Sequence, residues 1–304
     1  MLNRIRKQKR EKRGRRTAEQ RKDFLRSLCF LSPSLIGVGV FFVLPFGVVV
    51  YYSLIDGVVS RDFVWFDNFK KLFENSVFRM AAGNTLRFSA IAVPLAVVLA
   101  IVLALLLEAR IPLKSHFRTF FLSPMMVPVA SVVLVWQVLF SYNGTVNVLL
   151  ESLGAGKIDW LQSDYAPIVV VLLFLWKNLG YNMILFMAGI ANIPKELLEV
   201  ADVEGAGELY KFFHIKLRYL SPTVLFVTIL SLINSFKVFR EVYLLTGNYP
   251  YQALYTLQHF MNNMFGSFDY PRLSAAAVLM AGAMVVIIAV LFAVENWFGK
   301  DVEG

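Results

Sequence analysis

Cysteine and histidine are scarce in this chain of 304 residues, which contains one cysteine and three histidines. Cys29 has no second cysteine to pair with, so an intrachain disulfide and a disulfide-stabilised scaffold are excluded. His116, His214 and His259 are scattered, and no two have the helical spacing of metal ligands. We therefore expect no metal site.

Charged residues are also few, at 17% of the chain, whereas soluble domains contain about a quarter. Hydrophobic residues reach 58%, and the mean hydropathy is +0.61. These values exclude a disordered chain, a collagen and an ordinary soluble domain. The excess of apolar residues is expected to lie in lipid.

Catalytic motifs are missing as well. The segment Gly154-Ala-Gly156-Lys157 comes nearest to a phosphate-binding loop, but it lacks the required glycine spacing and the Ser or Thr after the lysine. Paired acids for hydrolysis are absent from the apolar segments. We expect no catalytic residues and no cofactor, and we do not expect the chain to be an enzyme.

Six long apolar segments are present, each near the 20 residues or so that cross a bilayer as a helix. They predict an all-α membrane protein with six transmembrane helices. The predicted spans are about 28–54, 86–107, 120–140, 167–191, 222–243 and 275–297.

The segment 1–27 is strongly basic and holds twelve of the 30 Lys and Arg residues. Nucleic-acid binding is one interpretation of such a run, but no aromatic residues are interleaved with it. A cytoplasmic tail near anionic lipid headgroups explains it better, and the positive-inside rule then places both termini in the cytoplasm. Residues 28–304 form the membrane domain in this interpretation.

A polar insertion at 193–222 separates the fourth and fifth spans. Pro194 can begin a helix, while Gly205 and Gly207 interrupt the helical pattern and permit a reversal of the chain. The pattern predicts two short amphipathic helices joined by a glycine turn. A helix pair that only lies on the lipid headgroups would have the same pattern.

The insertion contains Glu199-Val-Ala201, then Glu204-Gly205-Ala206, then Phe213 and Ile215-Lys-Leu217. This run resembles the EAA loop of permease subunits in binding-protein-dependent ATP-binding-cassette (ABC) importers. Val200 stands where the family usually has alanine, and Arg218 where it usually has proline. The resemblance implies a coupling helix that docks on an ATPase subunit. The residues that carry it are Glu199, Val200, Ala201, Glu204, Gly205, Ala206, Phe213, Ile215 and Leu217.

The resemblance extends over nearly the whole chain and is closest to the sugar-importer branch, which includes maltose and glycerol-3-phosphate permease subunits. It implies a MetI-like permease core in a prokaryotic inner membrane. It also implies four partners: a second permease subunit, two ATPase subunits and an extracytoplasmic solute-binding protein. The chain would then form half of an import pathway for a carbohydrate. A self-contained secondary transporter and a membrane scaffold are the alternatives.

Polar residues in the fourth and fifth spans form a candidate substrate pathway. Lys177 lies ten residues into its predicted span, or roughly 15 Å deep, and ionisable groups at such depth are costly unless functional. Packing between helices is the alternative role. Lys177 and Lys237 together suggest an anionic solute. The candidate residues are Trp176, Lys177, Asn178, Tyr181, Ser231, Asn234, Ser235 and Lys237.

Overall fold

The computed structural model describes residues 22–108 and 113–298. The predicted basic tail up to residue 21, the connection 109–112 and the last six residues lie outside the described residues.

The described chain is built of helices. In chain order they are α1 (Lys22–Ser53, with a π-helical turn at Gly39–Val43), α2 (Asp67–Glu74), α3 (Ser76–Glu108), α4 (Lys114–Met126), α5 (Val129–Phe140), α6 (Thr145–Ser152), α7 (Ala166–Ala191), α8 (Lys195–Val203), α9 (Glu208–Lys211, continued by a π-helical turn Phe212–Lys216 and by Leu217–Tyr219), α10 (Ser221–Phe236), α11 (Phe239–Thr246), α12 (Leu257–Gly266) and α13 (Tyr270–Phe298).

Within the described residues, six helical segments are long and apolar enough to cross a membrane, which confirms the predicted number. The second begins at Ser76 instead of 86, and the sixth at Tyr270 instead of 275. Both helices start with polar turns, so a prediction based on apolar runs finds only their central part. The six segments are Lys22–Ser53, Ser76–Glu108, Val129–Ser152, Ala166–Ala191, Ser221–Thr246 and Tyr270–Asn296.

The third predicted span, 120–140, is not one continuous helix. Helix α4 ends at Met126, Val127 is extended with ψ 132°, and α5 begins after Pro128. Proline has no N–H to continue the helical ladder, and its ring forces the preceding residue out of the helical region. The sequence predicts one span over 120–140 in which Pro124 and Pro128 bend or interrupt the helix, and the structure has this interruption at Pro128.

The fifth predicted span, 222–243, is also interrupted. Helix α10 ends at Phe236 and α11 begins at Phe239, with Lys237 and Val238 in a tight turn. The amide of Lys237 donates to the Asn234 carbonyl over 3.1 Å, which is a bond to the third preceding residue instead of the fourth. Residues on both sides of this turn line a cavity described below.

Helices α3, α7 and α10 form the centre of the bundle. Ala92, Ala96, Ala100 and Ala104 recur every four residues along α3, and all are fully buried. Small side chains at this spacing let helix backbones approach closely, which drives helix association in lipid through van der Waals contact. The alanine stripe thus lets α3 pack closely in the centre of the bundle.

Gly180 of α7 lies where α4 crosses. A Cβ atom at this position would overlap the carbonyl oxygen of Phe121. Only glycine allows this close approach, which holds α4 against the face of α7 that carries the polar residues.

Candidate functional site

A cavity of about 640 Å³ lies between α4, α7, the α10–α11 junction and α12. Its apolar wall includes Met125, Leu173, Phe174 and Leu230. Its polar and charged wall is formed by Lys177, Asn178, Tyr181, Asn234, Lys237, Arg240, Glu241 and Gln258. Five of the eight residues predicted for the substrate pathway are therefore brought together around one cavity.

Lys177 of α7 forms an ion pair across the cavity wall. Its Nζ lies 2.5 Å from Oε1 of Glu241, whose side chain is 9% exposed. Glu241 is in the first turn of α11, where the positive end of the helix dipole favours a carboxylate. The pair joins the fourth span to the second half of the fifth.

The side-chain amides of Asn178 and Asn234 connect α7 and α10 beside this ion pair. The Asn234 side chain donates to Oδ1 of Asn178 over 3.0 Å, and the Asn178 side-chain amide donates to the Phe174 carbonyl over 2.8 Å. Tyr181 is one helical turn after Lys177, so its ring faces the same cavity. Amides and a phenol beside an apolar wall are suited to binding sugar hydroxyls and a sugar ring face.

The remaining two charges of the cavity are cationic. Lys237 is exposed to the cavity, and within the described part of the chain its Nζ has no hydrogen-bond or ion-pair partner. Arg240 is 66% exposed in its side chain, and its guanidinium reaches Glu241 only at 3.9 Å.

Three predicted pathway residues lie outside the cavity. The Ser231 hydroxyl accepts a hydrogen bond from Asn182 over 2.9 Å, and Ser235 pairs with Ser89 of α3 at 2.8 Å. Trp176 is in a separate apolar groove beside Trp136, with ring centroids 6.3 Å apart. The contacts of the two serines correspond to the alternative role, which is packing between helices.

Sequence reasoning missed Glu241, Arg240 and Gln258 as cavity residues. Glu241 lies inside the predicted span 222–243, so the rule that singled out the lysines also applied to it. Arg240 lies inside the same predicted span, in which the interruption was not foreseen. Gln258 is on a separate helix, and no local signal places it here.

The insertion 193–222 has the two helices and the turn that its pattern predicts. Helix α8 ends at a reversal in which Gly205 has φ +77°, and the Ala206 amide donates to the Ala201 carbonyl over 2.9 Å. A glycine with positive φ is the usual end of such a helix. Gly207 then precedes α9 in an extended conformation.

The predicted coupling residues divide between an inner and an outer face. Ala201 is buried, and Ala206, Ile215 and Leu217 are half-buried. Exposed residues are Glu199, Val200, Glu204, Gly205 and Phe213, with Val203 and Leu209 exposed beside them. An exposed apolar surface on a polar loop is typical of a protein-binding site.

Ion pairs hold this loop together and tie it to the bundle. Lys211 Nζ lies 2.5 Å from Asp202 Oδ1 and 2.5 Å from Glu208 Oε1, which raises the pKa of the lysine. Lys216 Nζ lies 3.0 Å from Glu108 Oε2 at the end of α3. Movement of the loop would therefore be transmitted to α3 as well as to α7 and α10.

Helix α12 contributes Gln258 to the cavity wall and contains a buried histidine. His259 is fully buried, its Nδ1 lies 2.9 Å from the Thr256 hydroxyl, and burial lowers its pKa to about 4. Among the described residues its Nε2 has no hydrogen-bond partner. The neutral ring packs against Phe239, with centroids 4.6 Å apart.

Comparison with known proteins identifies a family. Residues 92–304 match the model of a family described as "Binding-protein-dependent transport system inner membrane component". The matched range includes the cavity and the insertion 193–222.

Two curated relatives have similar lengths. The sulfoquinovosyl glycerol transport system permease protein SmoG of Agrobacterium fabrum is 30% identical over 88% of this chain and 89% of its own. The sn-glycerol-3-phosphate transport system permease protein UgpA of Escherichia coli is 29% identical over 86% of this chain and 91% of its own.

A solved structure has the same fold. A chain from a bacterial ABC transporter involved in the import of the acidic polysaccharide alginate aligns with a TM-score of 0.77 and 21% identity, covering 93% of this chain and 98% of that chain. The agreement confirms the predicted all-α permease fold with a MetI-like core.

Proposed function

Because the chain belongs to the family of binding-protein-dependent transport system inner membrane components, we propose that it carries carbohydrates into the cell as one permease subunit of an ABC importer. The family assignment confirms the predicted class and the prokaryotic inner membrane as its location. It replaces the alternatives of a self-contained secondary transporter and a scaffold.

The observation that carries the proposal is that one pair of helices joins two different surfaces. Helices α7 and α10 hold the cavity with Lys177, Asn178 and Asn234, and the same two helices flank the exposed insertion 193–222. A force applied to the insertion would move the walls of the cavity as rigid helices. A permease needs such a connection, because the energy source lies outside its own chain.

The carbohydrate class rests on the relatives and on the chemistry of the cavity. The relatives named above transport sulfoquinovosyl glycerol and sn-glycerol 3-phosphate according to their names. The amides of Asn178 and Asn234 and the ring of Tyr181 provide the donors, acceptors and apolar face that a sugar requires.

The partners proposed are a second permease subunit, two ATPase subunits that bind the insertion, and a solute-binding protein on the outer side. ATP would bind to the ATPase subunits and not to this chain. The termini would be cytoplasmic, on the same side as the insertion, in agreement with the distribution of Lys and Arg. The residues of the insertion that resemble the EAA loop would be the contact with the ATPase.

Affinity purification from mild detergent tests the proposal. The tagged chain should bring down an ATPase and a second permease, identified by mass spectrometry. Recovery of the chain without an ATPase would contradict it.

Two glycine variants test the role of the insertion. Gly205→Val should lower ATPase recovery at least tenfold, because valine does not tolerate φ +77°. Gly207→Val is the matched control, since both positions have open space for a side chain but Gly207 has φ −69°. Equal recovery with the two variants would show that the ATPase binds elsewhere.

A further inference from the structure

The charges that line the cavity do not balance. The cations are Lys177, Lys237 and Arg240, and the anion is Glu241. A cavity inside a membrane protein focuses such an excess of charge, because the surrounding medium screens it poorly. A solute in the cavity would therefore experience a net positive charge.

Lys177 is not the source of the excess. Its Nζ is 2.5 Å from Oε1 of Glu241, so its charge is neutralised within the protein. The sequence hypothesis of an anionic solute relied on Lys177 and Lys237 together. The structure removes the first of these and adds Arg240.

Lys237 is held in the turn between α10 and α11, where its side chain faces the cavity. The end of α10 favours a positive charge nearby, but this interaction offsets only part of the cost of an ammonium group within a span. In the part of the chain that the structure describes, no carboxylate or carbonyl pairs with Lys237. Its ammonium group is therefore available to an anionic group of a ligand.

Arg240 follows Lys237 by three residues and lines the same wall. Its contact with Glu241 is at 3.9 Å, beyond hydrogen-bond distance, and its side chain is 66% exposed. The guanidinium therefore keeps donors available. An ammonium and a guanidinium that line the same cavity can bind the oxygens of a phosphate, sulfonate or carboxylate.

We propose that Lys237 and Arg240 form an anion subsite, and that the transported carbohydrate carries a negatively charged group. The neutral part of the solute would contact Asn178, Asn234 and Tyr181, while the Lys177–Glu241 pair fixes the wall that presents the subsite. This inference rests on the proposed function, because it names the class of carbohydrate that the permease takes.

Uptake of matched solutes tests the substrate class in cells that contain the complete transport system. Three charged probes are compared with neutral counterparts: sn-glycerol 3-phosphate with glycerol, a galacturonate disaccharide with a galactose disaccharide, and a sulfonated glucosyl glycerol with glucosyl glycerol. Uptake is measured relative to a strain lacking this chain. At least one charged probe should enter tenfold faster than its neutral counterpart, and its identity distinguishes phosphate, carboxylate and sulfonate.

Variants then assign the effect to the subsite. Lys237→Met should lower uptake of the charged probe at least tenfold, whereas Lys237→Arg should retain much of it. Lys22→Met is the matched control, since Lys22 is exposed and far from the cavity in the chain. Uptake that depends on this chain but is confined to neutral probes would overturn the anion subsite and leave the proposed function intact. Absence of chain-dependent uptake for every probe would count against both.

A second measurement does not depend on the solute or on full transport activity. With Cys29 replaced by Ser, Asn234→Cys places one thiol in the cavity. A sulfonate-bearing thiosulfonate reagent should label it about tenfold faster than an ammonium-bearing one in the purified complex, relative to a small free thiol. Adding Lys237→Met should reduce this preference several-fold, because Arg240 is then the only cation of the subsite that remains. Equal labelling rates with Lys237 present would overturn the proposal.

Discussion

The cavity and the insertion 193–222 each contain a lysine paired with carboxylate, but the buried partner is the acid in the cavity and the lysine in the insertion. In the cavity the acid is the buried partner, since the Glu241 side chain is 9% exposed and that of Lys177 is 25% exposed. In the insertion the lysine is buried, since Lys211 is 8% exposed while Asp202 and Glu208 are 59% and 78% exposed.

This difference determines what each pair can do. A carboxylate that has lost its water depends on its one close cation, so the pair Lys177–Glu241 behaves as a single unit. Carboxylates that remain in water lose little when the lysine is removed. We therefore expect the cavity pair to determine stability and the insertion pairs to determine local shape.

Removing the lysine of the cavity pair should have the largest effect. Lys177→Met leaves Glu241 buried without its close partner, and should lower the free energy of unfolding by about 3 to 5 kcal/mol. Arg240, at 3.9 Å, replaces only part of the lost interaction. Thermal unfolding of the purified protein in detergent measures the loss.

The double variant Lys177→Met/Glu241→Leu should recover most of this stability, because no buried charge is left unpaired. Lys22→Met, on an exposed turn of α1, should stay within about 0.5 kcal/mol of the unmodified protein. If the double variant were as unstable as the single one, packing rather than charge would explain the loss.

Helix α12, which contributes Gln258 to the cavity wall, should respond to acid. The pKa of His259 is about 4 in the folded protein, below its ordinary 6.5. The unfolded chain therefore binds a proton first, and stability that is complete above pH 6.5 decreases as the pH falls toward 4. The loss should reach at most about 3.5 kcal/mol, since each pKa unit corresponds to about 1.4 kcal/mol.

Carboxylates also titrate near pH 4, so the comparison is made between proteins. The difference in stability between the unmodified protein and His259→Leu should change between pH 6.5 and 4 and stay constant above pH 7. A constant difference over the whole range would show that the histidine is not held neutral by burial.

Local patterns predicted much of the insertion and of the spans. A helical pattern that stops at a glycine predicts a helix end with positive φ at that residue, and Gly205 has a φ of +77°. Pro128 predicted a bend or interruption within the apolar run 120–140, and α4 ends just before it, at Met126.

The arrangement of the cavity could not be predicted in the same way. The interruption after Phe236 contains neither proline nor glycine, so nothing local marks it. The partners Lys177 and Glu241 are 64 residues apart, and Ser235 meets a serine 146 residues away. The predicted depth in the membrane indicated which polar residues lie at the same level. The rotation of each helix about its axis determines which of them face the cavity, and depth does not give that rotation.

Removing the lysine of the insertion should have the smallest effect on overall stability and a distinct local one. Lys211→Met should leave global unfolding close to that of Lys195→Met, a control on the same loop at an exposed position. Hydrogen exchange of backbone amides in α8 and α9 should become several-fold faster only in Lys211→Met, because Asp202 and Glu208 lose the cation that joins the two helices.

The dependence on pH separates this prediction from simple loss of packing. The pKa of Lys211 is raised above its ordinary 10.5 by its bonds to Asp202 and Glu208, so the lysine stays charged at neutral and mildly alkaline pH, and its charge is lost as the pH rises through the raised pKa. The local effect of Lys211→Met should therefore be the same at pH 6 and pH 9. A global loss as large as that of Lys177→Met would contradict the contrast between the two regions, because it would mean that water around Asp202 and Glu208 does not replace the lysine.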